Sequence, residues 1–231
     1  MPLTALVTRT YLRYLVPVTL LSALAFAPLL WLVMRVPVPA DLLQARGVLR
    51  TTWLLVGLSL VPLLILVGGV SPSVRSIAEG RPVSQLAAVR DGVLALSRAV
   101  LPCGVAVIAV AVGSLALVIP GLLLLVLLSL TGATAGPGQA LHESLSASVT
   151  AVRARFVTVA SILLLSIAVT CGAVYFLQRG LPVPLPKQPP GELLPNVRVF
   201  ARWAIAGLAI GAPLPAIALA ALATRSPSAR T

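Results

Sequence analysis

The residues that could carry out acid–base or metal chemistry are few in this chain. Among its 231 residues, five are acidic and one is a histidine. His142 and Glu143 begin the pattern His-Glu-x-x-His, in which two histidines one helical turn apart bind zinc and the glutamate acts as a base. Ser146 stands where the second histidine is needed. The sequence therefore predicts no metal site here, and we interpret His142 as a solvated residue on the polar face of a helix.

Other catalytic patterns are missing from the sequence as well. It contains neither a Gly-x-Ser-x-Gly nucleophile turn nor a glycine-rich phosphate loop with a lysine. Cys103 and Cys171 lie in apolar stretches without a neighbouring cysteine or histidine, which indicates buried small side chains rather than a disulfide or a zinc site. We expect a protein that is not an enzyme and has no catalytic residue, cofactor or metal.

The composition indicates the solvent in which the chain folds. It is 59% hydrophobic and 10% charged, whereas a soluble domain has about a quarter charged residues. Uncharged apolar runs of roughly 18 residues or more can cross the hydrocarbon core of a bilayer as helices. The sequence therefore predicts an all-α, polytopic transmembrane helix bundle that forms a single integral membrane domain over residues 1–231.

About six segments are predicted to span the membrane. They cover residues 14–34, 52–70, 99–119, 121–136, 156–177 and 203–223. Ala23-Leu24-Ala25 resembles a signal-peptide cleavage site, but the apolar run continues to residue 34, which favours a retained first helix. The fourth segment is short, roughly 24 Å as a helix, so it either crosses a thinned bilayer or is re-entrant.

The breaks between these segments are marked by proline and glycine. Residues 1–13 are predicted to be a short polar start. We expect the second helix to end at Gly68-Gly69 and to be closed by Ser71-Pro72. Residues 35–50 are predicted to be a loop. Six prolines between residues 182 and 195 predict an extended, stiff spacer.

The centre of the chain is an uncharged stretch, residues 99–136, flanked by two polar segments with helical periodicity. The apolar stripes of these two segments consist of Leu86, Val89, Val93, Leu96 and Val100, and of Leu141, Leu145, Val149, Val152 and Phe156. Such spacing predicts two amphipathic juxtamembrane helices. Their opposite faces form a candidate interaction face for a protein partner, made of Arg90, Asp91, His142, Glu143 and Arg153.

The distribution of charge predicts the orientation. With both termini in the cytoplasm, the cytoplasmic side holds ten of the Lys and Arg residues and the other side seven, as the positive-inside rule favours. The amphipathic helices then lie on the cytoplasmic face. Because the 17 basic residues are spread between the apolar runs and not clustered, we expect the lipid bilayer, and no nucleic acid, as the counter-charge.

Small residues at four-residue spacing predict close helix packing. Gly207 and Gly211 form a Gly-x-x-x-Gly pair in the sixth segment, and Ala109 with Gly113 a similar pair in the third. A bulky residue at either glycine of the sixth segment should separate the packed helices. The pattern favours packing within one chain and leaves a homo-oligomer open.

The region around residues 80–170 resembles a family of bacterial six-helix membrane domains, found attached to some glycerophosphoryl diester phosphodiesterases and also alone. The resemblance lies in Ile119-Pro120-Gly121 opening a helix, in Ala140-Leu141-x-x-Ser144, and in Arg155-Phe156 leading into the next span. His142 and Glu143 fill positions that are often basic in that family, and Gly136-Pro137-Gly138 replaces a usual acidic residue. The resemblance implies a bacterial inner-membrane module and not phosphodiesterase activity, which belongs to a separate soluble domain.

These observations favour a non-enzymatic accessory, scaffold or assembly protein that works through its cytoplasmic helices. The alternative is a carrier or lipid-handling protein for a neutral or lipidic substrate. A carrier would have a polar path lined by hydroxyl groups, for which the candidates are Ser114, Ser129, Thr131, Ser161 and Ser166.

Overall fold

The computed structural model describes residues 2–35, 60–116, 118–136, 138–180 and 205–225, and these residues form α-helices and turns without a strand. The helices are α1 Leu3–Arg13, α2 Leu15–Met34, α3 Leu60–Ala78, α4 Gln85–Ala116, α5 Val118–Leu128, α6 Thr131–Thr134, α7 Leu141–Arg153, α8 Phe156–Gly180, α9 Ile205–Gly211 and α10 Pro213–Ala223. In these ranges three helices (α2, α3 and α4) are long and apolar enough to cross a membrane, or up to five if each of two bent pairs counts as one span.

The first predicted span agrees with α2, whose 20 residues reach about 30 Å, the thickness of a hydrocarbon core. The short polar start predicted before it forms a helix of its own, α1, over residues 3–13. Pro17 explains why α1 and α2 are separate helices. Proline has no N–H to donate to the carbonyl four residues earlier, so the ladder is interrupted at Arg13 and the chain bends at Tyr14.

The expected end of the second helix at Gly68-Gly69 is also wrong. Helix α3 continues through both glycines and through Pro72 to Ala78. Its first predicted residues, 52–59, lie outside the described residues, as does the loop predicted over 36–50. Tertiary packing explains the continuation, since both glycines lie where other helices approach α3 most closely.

The prediction of a separate juxtamembrane helix before the third span is wrong, because both form the single helix α4. Residues 85–116 form one helix of 32 residues, about 48 Å long. Its inward face is made of small residues, namely Ala88, Gly92, Ala99, Cys103 and Ala106. Leu86, Val93 and Val100 of the predicted apolar stripe are exposed. Small residues allow helices to approach closely inside a membrane, while large apolar ones suit lipid.

Two glycines from distant parts of the sequence, Gly68 and Gly132, allow α3, α4 and α6 to meet. A methyl group on Gly68 would lie 2.6 Å from the Ala99 Cβ and 2.7 Å from the Gly132 carbonyl oxygen. One on Gly132 would collide with the Leu64 carbonyl oxygen and lie 3.0 Å from the Gly68 nitrogen. Neither backbone group can move aside without disturbing its helix, so glycine is required at both places.

The fourth predicted segment is shorter as a helix than its sequence suggested. Helix α5 has 11 residues, about 16 Å, and the chain turns at Ser129 and Leu130 before the single turn α6. The Arg75 Nη2 donates a hydrogen bond of 3.2 Å to the Ala133 carbonyl. The chain has therefore come back towards the C-terminal part of α3 by residue 133.

The last helices are arranged around two bends. Helix α7 meets α8, measured to Val169, at 99°, and α9 meets α10 at 42°. The fifth predicted span corresponds to α8, and the sixth is divided at Ala212 into α9 and α10. Its first residues, 203–204, and the proline-rich spacer lie outside the described residues. Arg155 joins the two bent pairs, since its Nη1 donates to the Leu222 carbonyl (3.1 Å) and its Nη2 to the Arg225 carbonyl (2.9 Å).

Candidate functional site

The five residues of the candidate interaction face are all exposed. Arg90 and Asp91 lie on α4, and His142, Glu143 and Arg153 on α7. The Glu143 carboxylate accepts a hydrogen bond of 3.0 Å from the Ala140 N–H and so caps the start of α7. The other four side chains form no hydrogen bond or ion pair with any described residue. They are available to a partner without the loss of an internal contact.

Helices α4 and α7 meet at a different place, around an open cavity of about 230 Å³ that we call the Arg98 cavity. Arg98, Leu101 and Pro102 of α4 line one side of it. The other side is formed by Gln139, at the end of the α6–α7 loop, and by Leu141 and Ser144 in the first turn of α7. The structure therefore brings the two predicted polar segments together at Arg98, a residue that we had not assigned to the site.

The loop beside the cavity has a fixed shape. Gly138 has φ of 76°, in the left-handed region that glycine adopts without strain. The Gly136 N–H donates a hydrogen bond of 2.8 Å to Gln139 Oε1. With its oxygen used in this way, Gln139 keeps its side-chain NH₂ group free to donate.

Helix α7 is fixed to the preceding helices by hydrogen bonds from two hydroxyl groups, one on α7 and one on α6. Ser148 donates to the Leu127 carbonyl at the end of α5 (2.9 Å), and Thr134 donates to the Ser144 carbonyl (2.8 Å). Ser144 and Ser148 are buried, whereas Leu145 of the predicted apolar stripe is only half-buried. The packed side of α7 thus combines Ser144 and Ser148 with Ala151 and with Val152 of the predicted stripe. Of these residues, Ser144 had been singled out in the sequence only as part of Ala140-Leu141-x-x-Ser144.

The hydroxyl groups predicted to line a substrate path do not line this cavity. Ser129, Ser161 and Ser166 each donate to a carbonyl of their own helix or turn, those of Val126, Val157 and Ile162. Thr131 is fully buried and its hydroxyl has no partner among the described residues. Ser114 lies against Gly121. In the described part of the chain these residues do not form the polar path that a carrier would use.

The two glycines predicted to pack the sixth segment lie on an open face. A methyl group on Gly207 or Gly211 would meet no described atom within 4 Å, and both residues are exposed. The expectation that they bring helices of one chain together is therefore not supported within the described ranges. The corner at Pro120 and Gly121 does pack closely, because Gly121 faces Ser114 and its Cα lies 3.4 Å from the place of a methyl group on Gly113.

Titratable groups are dispersed in the part of the chain that the structure describes. No three His, Cys, Asp or Glu side chains come together there as they would around a metal ion. The site that the structure offers therefore consists of an exposed polar face on α4 and α7 and the Arg98 cavity between the same helices. In comparisons with family models, curated proteins and solved structures, nothing matches this chain.

Proposed function

We propose that this chain is a multi-pass protein of the bacterial inner membrane that acts as an accessory or assembly partner and binds another protein at its cytoplasmic face. The observation that carries the proposal is the 99° bend between α7 and α8. If α8 crosses the membrane, α7 runs along its surface, as an interfacial amphipathic helix does. The exposed side chains of His142, Glu143 and Arg153 then point into the cytoplasm.

The fold also supports a cytoplasmic position for Arg90 and Asp91, the two residues of the face that lie on α4. Helices α4 and α7 meet at the Arg98 cavity, and Arg90 and Asp91 lie about two turns from Arg98 along α4. Helix α1 packs against α10, which supports having both termini on one side. This arrangement is compatible with six crossings if α5 and α6 together form the short fourth crossing. The hydrogen bond from Arg75 to the Ala133 carbonyl supports such a crossing, because it holds the end of α6 beside α3.

Membership of the bacterial six-helix membrane-domain family forms part of the proposal. Pro120 supports it, because this residue lies in the first turn of α5, where a missing N–H has no cost. A carrier remains the alternative function, although Ser129, Ser161 and Ser166, which were expected along its path, donate to carbonyls of their own helix or turn.

A charge reversal tests the partner face. Arg90→Glu together with Arg153→Glu should leave folding intact, because neither arginine contacts a described residue through its charge. The same double variant should lose proteins that co-purify with the wild type from native membranes, measured by quantitative mass spectrometry.

A matched control variant distinguishes loss of the binding face from a general effect of the changed net charge. Arg9→Glu with Arg81→Glu changes the charge equally at two exposed positions away from the face, and it should retain the co-purifying proteins. If the Arg90 and Arg153 variant is correctly inserted and keeps every partner, the proposed face is not the binding site.

A further inference from the structure

The Arg98 cavity lies where the charged and uncharged parts of α4 meet. Arg98 is the last charged residue before the uncharged stretch of residues 99–136. It lies inside the candidate span Gln85–Ser114. A cation within a membrane-spanning helix is costly unless it meets a counter-charge or reaches the interface.

The surroundings of Arg98 are those of a lipid-facing surface. Leu94 and Leu101, one turn before and after it on the same side of the helix, are 45% and 69% exposed. Further along, Ile108 is 64% exposed. Acyl chains suit such a face, whereas no described carboxylate pairs with Arg98. The described residues therefore leave the Arg98 guanidinium free to bind an anion.

Two side chains that line the cavity, those of Arg98 and Gln139, have hydrogen-bond donors for an anion. Arg98 supplies a guanidinium, whose planar fork fits a phosphate. Gln139 supplies its NH₂ group, since its oxygen is already bonded to the Gly136 N–H. The nearest acid of α7, Glu143, is turned to the Ala140 N–H and does not line the cavity.

We infer that the Arg98 cavity binds the phosphate group of an acidic phospholipid, with the acyl chains along the exposed apolar face of α4. The cavity of about 230 Å³ accommodates a headgroup and not a whole lipid, which agrees with the open apolar surface beside it. This site is distinct from the protein-binding face and does not depend on it. A soluble phosphate would share the headgroup chemistry, so the experiment separates the two.

Lipid retention by the detergent-solubilised full chain tests the site. Native mass spectrometry would compare phosphatidylglycerol, phosphatidylcholine and diacylglycerol at equal concentration, with glycerol 3-phosphate as the soluble arm. We expect phosphatidylglycerol to be preferred by the wild type. Arg98→Gln should reduce its retention by about tenfold, the worth of one charged hydrogen bond. Arg81→Gln, which removes an equal charge from an exposed position outside both sites, should leave retention unchanged.

The outcomes decide the proposal in either direction. Equal retention by Arg98→Gln and the wild type overturns it, as does a wild type that binds diacylglycerol as well as phosphatidylglycerol. Stabilisation by glycerol 3-phosphate as strong as that by the lipid overturns the lipid assignment. If Arg98→Gln does not fold, Gln139→Ala takes its place: reduced retention by this loop variant supports the site, and unchanged retention refutes it.

Discussion

The side-chain amide of Gln85 donates a hydrogen bond of 2.6 Å to the backbone carbonyl of Arg13. In an unbroken helix that carbonyl would accept from the N–H of residue 17, which is absent because residue 17 is proline. Tyr14, next in the chain, is fully buried and its hydroxyl exchanges hydrogen bonds with the Val83 N–H (3.0 Å) and carbonyl (3.1 Å). The bend between α1 and α2 is therefore tied to the linker between α3 and α4.

Removal of the Tyr14 hydroxyl should destabilise the protein. Tyr14→Phe leaves the N–H and the carbonyl of Val83 without their partner in a part-buried place. We expect a loss of about 1 to 3 kcal/mol in the free energy of unfolding, measured by denaturation in detergent. Tyr11→Phe is the matched control, because the described residues give Tyr11 no hydrogen bond; an equal effect of both changes would contradict this role.

The glycine contacts between α3, α4 and α6 should not tolerate a methyl group. Gly132→Ala places one against the Leu64 carbonyl, so the helices must separate. We expect a loss of about 1 to 3 kcal/mol, as for other overpacked cores, seen as a lower thermal midpoint in detergent.

Gly104 provides the control for that substitution. It lies within α4, and a methyl group there meets no described atom within 4 Å. Gly104→Ala should be neutral or stabilising by up to about 1 kcal/mol, because alanine has the higher helix propensity. Should the two alanine variants be equally stable, the close contact at Gly132 would not limit packing.

Arg155 should hold the C-terminal end of α10. Arg155→Gln removes its two charged hydrogen bonds to the carbonyls of Leu222 and Arg225 and leaves the Leu222 carbonyl with the 3.3 Å bond from the Arg225 N–H. We expect faster hydrogen exchange in residues 219–225, with a stability loss of about 2 kcal/mol. Arg153→Gln, an exposed change at the end of α7, should leave exchange there unaltered, and a similar increase in both variants would refute the role of Arg155.

The topology makes a prediction that does not depend on any side-chain contact. In a background without Cys103 and Cys171, single cysteines at positions 46 and 188 should react with a membrane-impermeant thiol reagent added from outside. Cysteines at Arg81 and Ser146 should react only after the membrane is opened. Equal labelling at positions 46 and 81 would exclude the six-span arrangement.

The sequence by itself determined the class of protein, an all-helical chain with several helices able to cross a membrane. The class can be predicted from the sequence because an uncharged apolar run in lipid can satisfy its backbone polar groups only as a helix or as part of a closed barrel. The first span was predicted within one residue, since charged Arg13 and Arg35 limit it on both sides. The polar segment at residues 141–153 was likewise recognisable as a helix.

Only the tertiary structure decided which glycines pack and where helices continue. Gly207 and Gly211 carry the expected spacing but face open space, whereas Gly68, which has no glycine four residues away, meets Gly132 through the fold. Spacing along one helix records which residues share a face, but whether a neighbour covers that face depends on residues far away in the sequence. The Arg98 cavity also depends on contacts between residues that are far apart in the sequence. Its two walls are formed by residues 98–102 and by residues 135–144, which are too far apart in the sequence for a local pattern to have joined them.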